Sequence, residues 1–331
     1  MAMTAIADGA LRRIDWKHQV ERFALPAAWL LLIIIFGMLL PQTFLSWRTF
    51  STMLGSQAVL VVLALALLIP LTAGDFDLSV ASTMVFSAML LAVLNVQGGV
   101  PIYYAIVAAL AVGAVIGLVN AAFILFFRIH SLIVTLGIGT FVNGLTLWLS
   151  NSRTISGVSM DLVSAVVITR FLGIPLSFYY GLAVALAIWY FFELTVTGRK
   201  LLFVGRGREV ARLNGIRVDR MRLGAFVAAG VLAALAGVLL VGTTGSADPI
   251  SGLTNLLPAF AAAFLGATAI HPGRFNPMGT VIAVYFLITG ITGLTMLGAS
   301  AYVQSLFYGG ALVVAVALSQ LVRNRQPQGF A

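Results

Sequence analysis

"TGRKLLFVGRGREVARLNGIRVDRMRL", residues 197–223, is a charged island in a very apolar chain. Residues 197–222 hold eight basic and two acidic side chains, while charged residues make up only 9% of the 331-residue sequence. Long apolar runs lie on either side of the island. Which side of a bilayer it occupies decides how those runs must be threaded.

The whole chain is 61% hydrophobic, with a mean hydropathy of +1.07. A soluble domain is about half apolar and about a quarter charged. Many runs reach the ~18–20 residues that cross a bilayer as a helix. A membrane β-barrel would instead show alternating strands of about 10 residues. The expected class is an all-α polytopic membrane protein. Net charge is +9, which in a soluble protein would suggest nucleic acid. Here the simpler cause is retention of Lys and Arg in cytoplasmic loops, so no nucleic-acid partner is expected. The absence of cysteine excludes a disulfide framework and a Cys-based metal site. The first residues are too polar for a secretory signal peptide, so the first apolar run is expected to be retained as a span.

Ten spans are expected, near 24–40, 56–74, 78–95, 101–127, 131–150, 175–193, 223–243, 255–270, 277–298 and 302–321. The transmembrane region then covers 24–321, with a cytoplasmic segment at 1–23 and a cytoplasmic tail at 322–331. The third and eighth spans are the shortest or the richest in small residues. With the N-terminus placed inside and the spans alternating, only Arg48, Arg153 and Arg170 of the 19 basic residues fall outside. The remaining 16 lie inside, as the positive-inside rule requires, and an even number of spans follows. The island is therefore expected to be the largest cytoplasmic loop, with both termini on its side.

The spans are poor in ionisable groups, which an ion-coupled carrier would place within the bilayer. The exceptions are Asp75 and Asp77, between spans two and three, and Glu193, read as a solvated helix end at the close of span six. No nucleophile–base pair, His-rich metal spacing or Walker-type loop is present, so no catalytic, metal or cofactor residue is assigned. Gly113 and Gly117 form a G-x-x-x-G pattern on span four, and "AALAGVL" at 233–239 is similarly small-faced. Such faces allow close helix approach in lipid, here expected within the bundle.

"LTAGDFDLSVAS", 71–82, interrupts the apolar sequence. Gly74 permits unusual backbone angles. Asp75, Asp77 and Ser79 are suited to capping the following helix, whose N-terminus favours anionic side chains. Two readings fit: an interfacial turn, or a discontinuous helix lining a translocation path. Within the island, Arg208 and Arg212 are four apart and share a helix face. Gly215 suits a left-handed helix end. Taken alone, this loop reads more readily as a basic segment touching lipid headgroups.

These stretches together resemble the permease subunits of bacterial ABC importers of the ribose/xylose/arabinose/galactoside class. "LTAGDFDLSVAS" is similar to that family's Ile-Asp-Leu-Ser-Val-Gly-Ser signature. "RIHSLIVTLGIGTFVNGL" (128–145), the island, "LAGVLL" (235–240), "AAFLGAT" (262–268) and "GTVIAVYFLITGITGLTMLGASAYVQ" (279–304) follow in the family's order, covering about 45–325. Asp75 and Phe76 stand where the family usually has Gly and Ile. Ala81 replaces a Gly, and "GATAIHPGRFNPMG" (266–279) replaces a Gly-rich turn. In the island, Glu209, Val210, Ala211 and Gly215 match the pattern Glu-Ala-Ala-x-x-x-Gly of the family's coupling helix. The resemblance implies an ABC importer permease fold, with ATPase coupling through Gly205, Arg208, Glu209, Ala211, Arg212 and Gly215. Ala211 would then pack closely against the ATPase. Gly74, Asp75, Asp77 and Ser79 would form the translocation path or broken helix.

It also implies a monosaccharide or small polyol as cargo and the bacterial inner membrane as location. The partners would be a second permease copy or paralogue, a cytoplasmic tandem ATP-binding protein that holds the ATP, a periplasmic sugar-binding protein and membrane lipid. The outer segments 151–174 and 244–254 would receive that binding protein. Permeases for branched-chain amino acids or nucleosides share many of these motifs. An ion-coupled transporter would instead need Asp75 or Asp77 as its coupling site.

Overall fold

The computed structural model describes residues 16–323; most of the expected N-terminal segment and tail, with Arg12, Arg13 and Arg325, lies outside them. Fourteen α-helices run through the described residues. They are α1 (Trp16–Leu39), α2 (Trp47–Ser56), α3 (Ala58–Thr72), α4 (Val80–Ala92), α5 (Ile102–Phe126), α6 (Ser131–Ser150) and α7 (Met160–Val163). After these come α8 (Leu176–Leu194), α9 (Val196–Arg206), α10 (Arg208–Leu213), α11 (Val218–Thr244), α12 (Leu256–Gly266), α13 (Pro277–Met296) and α14 (Ala301–Arg323).

Eight stretches are long and apolar enough to cross a membrane: Arg22–Leu39, Trp47–Thr72, Val80–Gln97, Ile102–Phe126, Ser131–Ser150, Leu176–Leu194, Val218–Thr244 and Pro277–Met296. The eighth and tenth expected spans coincide with two shorter apolar helices, Ser251–Gly266 and Tyr302–Leu318. The third expected span is helical from Val80 onward, because a π-helical turn at Val93–Gln97 extends α4.

Every residue of α3 is buried. Its sequence, AVLVVLALALLIPLT, is apolar all round, as suits a helix enclosed by others. Helices α4, α8, α11, α12 and α13 surround it. Helix α5 lies outside α11, α6 outside α4, α1 beside α13, and α14 against α12. The α5–α11 seam explains the G-x-x-x-G. A Cβ on Gly113 would overlap the carbonyl oxygen of Gly230, and one on Gly117 that of Phe226. The two backbones thus meet within the bundle, as the small residues promised.

Contacts sort the connecting segments into two ends. At one end, Arg222 reaches Asp75, the Phe76 amide reaches Ser131, and the Ile270 amide donates to the Arg22 carbonyl. At the other, Thr154 donates to Asp248 at 2.7 Å, and Ile155–Ser156 pairs antiparallel with Ser246–Ala247. The Ser159 amide there donates to Asn95 at 2.9 Å. Segments expected on one face of the bilayer therefore meet one another. Glu193 is not the free helix end expected from sequence. It pairs with Arg274 and ties the end of α8 to the turn before α13.

Candidate functional site

The break after α3 spans seven residues, 73–79, and the charged island folds directly beneath it. Asp75 and Asp77 are 2% and 1% exposed. In water-poor surroundings such groups need partners, and the two find different ones. Asp75 receives a two-pronged contact from Arg222, with Nε to Oδ2 at 2.7 Å and Nη2 to Oδ1 at 2.8 Å. Arg208 adds Nη2 to Oδ1 at 3.0 Å. The same Nη2 donates to the carbonyls of Gly74 at 2.9 Å and Ala73 at 3.3 Å. Asp75 is therefore not a helix cap, as sequence suggested, but the centre of a buried ionic cluster.

Asp77 keeps a local role. Its Oδ1 accepts from the Ser79 amide at 2.9 Å and the Ser79 hydroxyl at 2.6 Å. Ser79 Oγ in turn accepts from Asn120 on α5 at 2.7 Å. Ser79 stands at the start of α4 but makes no side-chain cap to it, so the expected capping by Ser79 is also corrected. Helix α6 holds the other side of the break. Ser131 Oγ accepts from the Phe76 amide at 3.1 Å, and Thr135 Oγ1 from the Leu78 amide at 3.0 Å. Gly74 takes φ +78°, the left-handed region that lets the chain turn there.

Replacing Asp77 tests this arrangement. Asp77→Asn keeps an acceptor oxygen for Ser79 and should retain most transport. Asp77→Leu strands a buried amide and hydroxyl, a loss of ~1–3 kcal/mol for each orphaned group, and should abolish it. Uptake measured at matched membrane levels checks both. Normal uptake by the Leu variant would reduce Asp77 to a turn residue.

The island is two helices and a tight end. Thr195 caps α9, accepting from the Gly198 amide at 3.0 Å. At Gly205 a Cβ would overlap the carbonyl oxygen of Thr72, so α9 lies against the last turn of α3. Helix α10 ends where Gly215 takes φ +76°; the Gly215 amide donates to Arg212 and the Ile216 amide to Ala211. This is the paired bonding of a Schellman motif, and the glycine was read correctly as its left-handed residue.

Two expectations about α10 change. Ala211 is fully buried, packed with Val204 and Val218 beside Ile216 and Met221, so its tight contact is with its own loop. Arg208 and Arg212 do not act from one face. Arg208 turns up to Asp75, while Arg212 pairs with Glu209 at 2.8 Å and Asp219 at 3.4 Å. The outward side of α10 presents Leu213, 88% exposed, and Val210, 54% exposed, beside the paired Glu209 and Arg212.

Arg222, Ser131, Thr135 and Asn120 escaped sequence reasoning. Arg222 alone left a sign, being the cation nearest the start of an apolar run in a chain whose break holds two acids. At the opposite end, Asp248 accepts from the Ser251 amide, the Thr154 hydroxyl and the Ile250 amide, which hold its carboxyl down at about 2. Its contribution is present above the ordinary carboxylate range and fades as pH falls toward that value.

Residues 49–316 match the family described as branched-chain amino acid transport system / permease component. The chain is 30% identical over 292 residues to the D-allose transport system permease protein AlsC of Escherichia coli strain K12, covering 88% of this chain and 89% of that one. It is 32% identical over 311 residues to the autoinducer 2 import system permease protein LsrD of Photorhabdus laumondii, covering 92% and 91%. The LsrD protein of Escherichia coli strain K12 is 32% identical over 321 residues, covering 95% and 94%. No solved structure matches. These relatives agree with the resemblance to monosaccharide-type importer permeases drawn from the sequence motifs. With the match running from α2 into α14 around a bundle of apolar helices, the chain belongs to the branched-chain amino acid transport system / permease component family and is a multi-pass membrane permease.

Proposed function

We propose that the chain is the membrane-spanning subunit of an ABC importer that carries a monosaccharide or small polyol. The observation that carries this is α10, a short ordered helix presenting Val210 and Leu213 outward from the charged loop. That is the form needed to dock into a groove on a separate ATPase subunit. The names of the allose and autoinducer 2 relatives support a sugar-like cargo.

The ionic cluster weighs against the alternatives. An ion-coupled carrier needs a carboxylate able to exchange its counter-ion, yet Asp75 is closed off by Arg208 and Arg222, and Asp77 is engaged by the Ser79 amide and hydroxyl. No arginine or lysine lies mid-way along the described apolar helices to receive an amino acid's carboxylate. In this reading two permeases pair, as copies or paralogues, and a cytoplasmic tandem ATP-binding protein binds and hydrolyses the ATP. A periplasmic sugar-binding protein delivers cargo to 151–174 and 244–254. The assembly sits in the bacterial inner membrane, with ten spans and both termini inside.

The test is uptake of labelled D-allose, autoinducer 2, ribose and leucine by cells carrying the permease with or without its neighbouring ATPase and binding protein. Uptake of one polyhydroxylated compound that requires the ATPase is the expected result. Uptake driven by an ion gradient without the ATPase, or of leucine alone, would overturn it.

A further inference from the structure

We infer that Asp75 is the joint through which the island positions the break between α3 and α4. Displacement of α10 is carried through it into the bundle. The inference rests on the importer reading for its functional half, and on geometry alone for its positional half.

Three features make the island a closed unit. The end of α10 folds back through Gly215 and Ile216, the interior of the loop is filled by Val204, Ala211 and Val218, and α9 lies against Thr72 at Gly205. The two guanidiniums on Asp75 leave this unit at different places. Arg208 is the first residue of α10, and Arg222 lies one turn into α11. A single carboxylate therefore ties the front of α10, the root of α11 and the break together. Arg208 also grips the break by its backbone, at the carbonyls of Ala73 and Gly74. Sliding α10 alone would draw a guanidinium away from a carboxylate that has almost no access to water. Separating one partner of such a pair is strongly unfavourable. The low-cost motion keeps the joint closed and moves residues 73–75 with α10.

The far side of the break is tethered as firmly, but to other helices. Phe76 and Leu78 are held by Ser131 and Thr135 of α6, and Ser79 by Asn120 of α5. The break leads straight into α4, which packs against α5, α6 and α11. A push on the outward face of α10 thus has a continuous bonded route: Arg208, Asp75, the break, then α4, α5 and α6.

The chain contains no cysteine, so introduced thiols report without background. We would place spin labels at Leu213→Cys on α10 and Leu136→Cys on α6, both exposed, in the full-length permease in lipid nanodiscs. The parent should give one narrow distance distribution. Asp75→Ala should broaden or shift it, and Asp75→Glu should keep it close to the parent. Arg208→Gln leaves the Arg222 pair in place, so it serves if Asp75→Ala does not insert; it should broaden the distribution in part. An unchanged distribution in Asp75→Ala or Arg208→Gln overturns the joint, whatever the protein transports.

The functional half is read in the complex with ATPase and binding protein. Asp75→Ala should still co-purify with the ATPase, because Val210 and Leu213 are untouched. Its uptake should fall by at least about tenfold, since a buried charge pair is lost, and Asp75→Glu should restore most of it. Normal uptake in a complex whose α10 has come loose overturns transmission through Asp75. Absence of ATPase-dependent uptake in the parent, with distances behaving as expected, would sink the importer reading and leave the positional joint standing.

Discussion

In a Gly205→Leu variant, uptake should fall to background and the purified permease should melt at a clearly lower temperature. Any side chain at this position drives its Cβ into the Thr72 carbonyl oxygen, a backbone atom at the end of a helix with no free face. Neither partner can give way cheaply. Moving Thr72 shifts α3 within its ring of helices, and moving α9 pulls the island away from the break. Overfilled contacts of this kind cost about 1–3 kcal/mol and sometimes more. Here the damage falls on the register between island and break as well as on stability. Gly224→Leu is the matched control, because Gly224 is exposed and a Cβ there meets nothing within 4 Å. Thermal unfolding in detergent and uptake at equal expression decide the matter. Equal behaviour of the two leucine variants would show that α9 does not rest on α3 as described.

The second large effect is expected at the tip of α10. Val210→Asp with Leu213→Asp should abolish co-purification with the ATPase while the permease remains inserted and normally stable. Both side chains are exposed, so the folded chain loses little by the change. Burying a Val or Leu at an interface contributes about 1.5–3 kcal/mol each. Loss of both amounts to roughly two to four powers of ten in affinity. Ala211→Arg gives the contrast. Ala211 lies inside the loop, so a large cation there breaks the fold of the island from within and lowers stability as well as assembly. A double aspartate variant that still assembles would remove α10 as the docking element.

Much of the bundle could be read in advance because burial in lipid and burial in protein demand the same apolar side chains. Hydropathy therefore located the eight helices long and apolar enough to cross a membrane without knowing their neighbours. Gly215 was legible for a local reason: a helix end needing positive φ leaves its mark within a few residues. Asp75 was not legible in the same way. Its partners, Arg208 and Arg222, are 133 and 147 residues away along the chain, and no local pattern records such a pairing. The inward turn of Ala211 was hidden by its size, since a small residue suits a partner's groove and a loop's own core equally. Helix α9 was missed as an element because its basic residues and glycines resemble a loop, although it packs Leu201 and Val204 inward.

The enclosure of α3 bears on how the protein is made. A helix that ends up touching only other helices must first enter the bilayer before most of them have been synthesised: α8, α11, α12 and α13 all follow it in the chain. During that interval its neighbours are acyl chains, and lipid tails are as apolar as leucine. The fifteen residues AVLVVLALALLIPLT are thus suited to two successive environments. Their oiliness admits the helix to the membrane, but it supplies little reason to leave lipid for protein. That preference has to come from shape, through the fit of Ala and Leu against the later helices. Conservative changes of volume in α3 should therefore spare insertion and instead delay or misdirect the later assembly of the bundle.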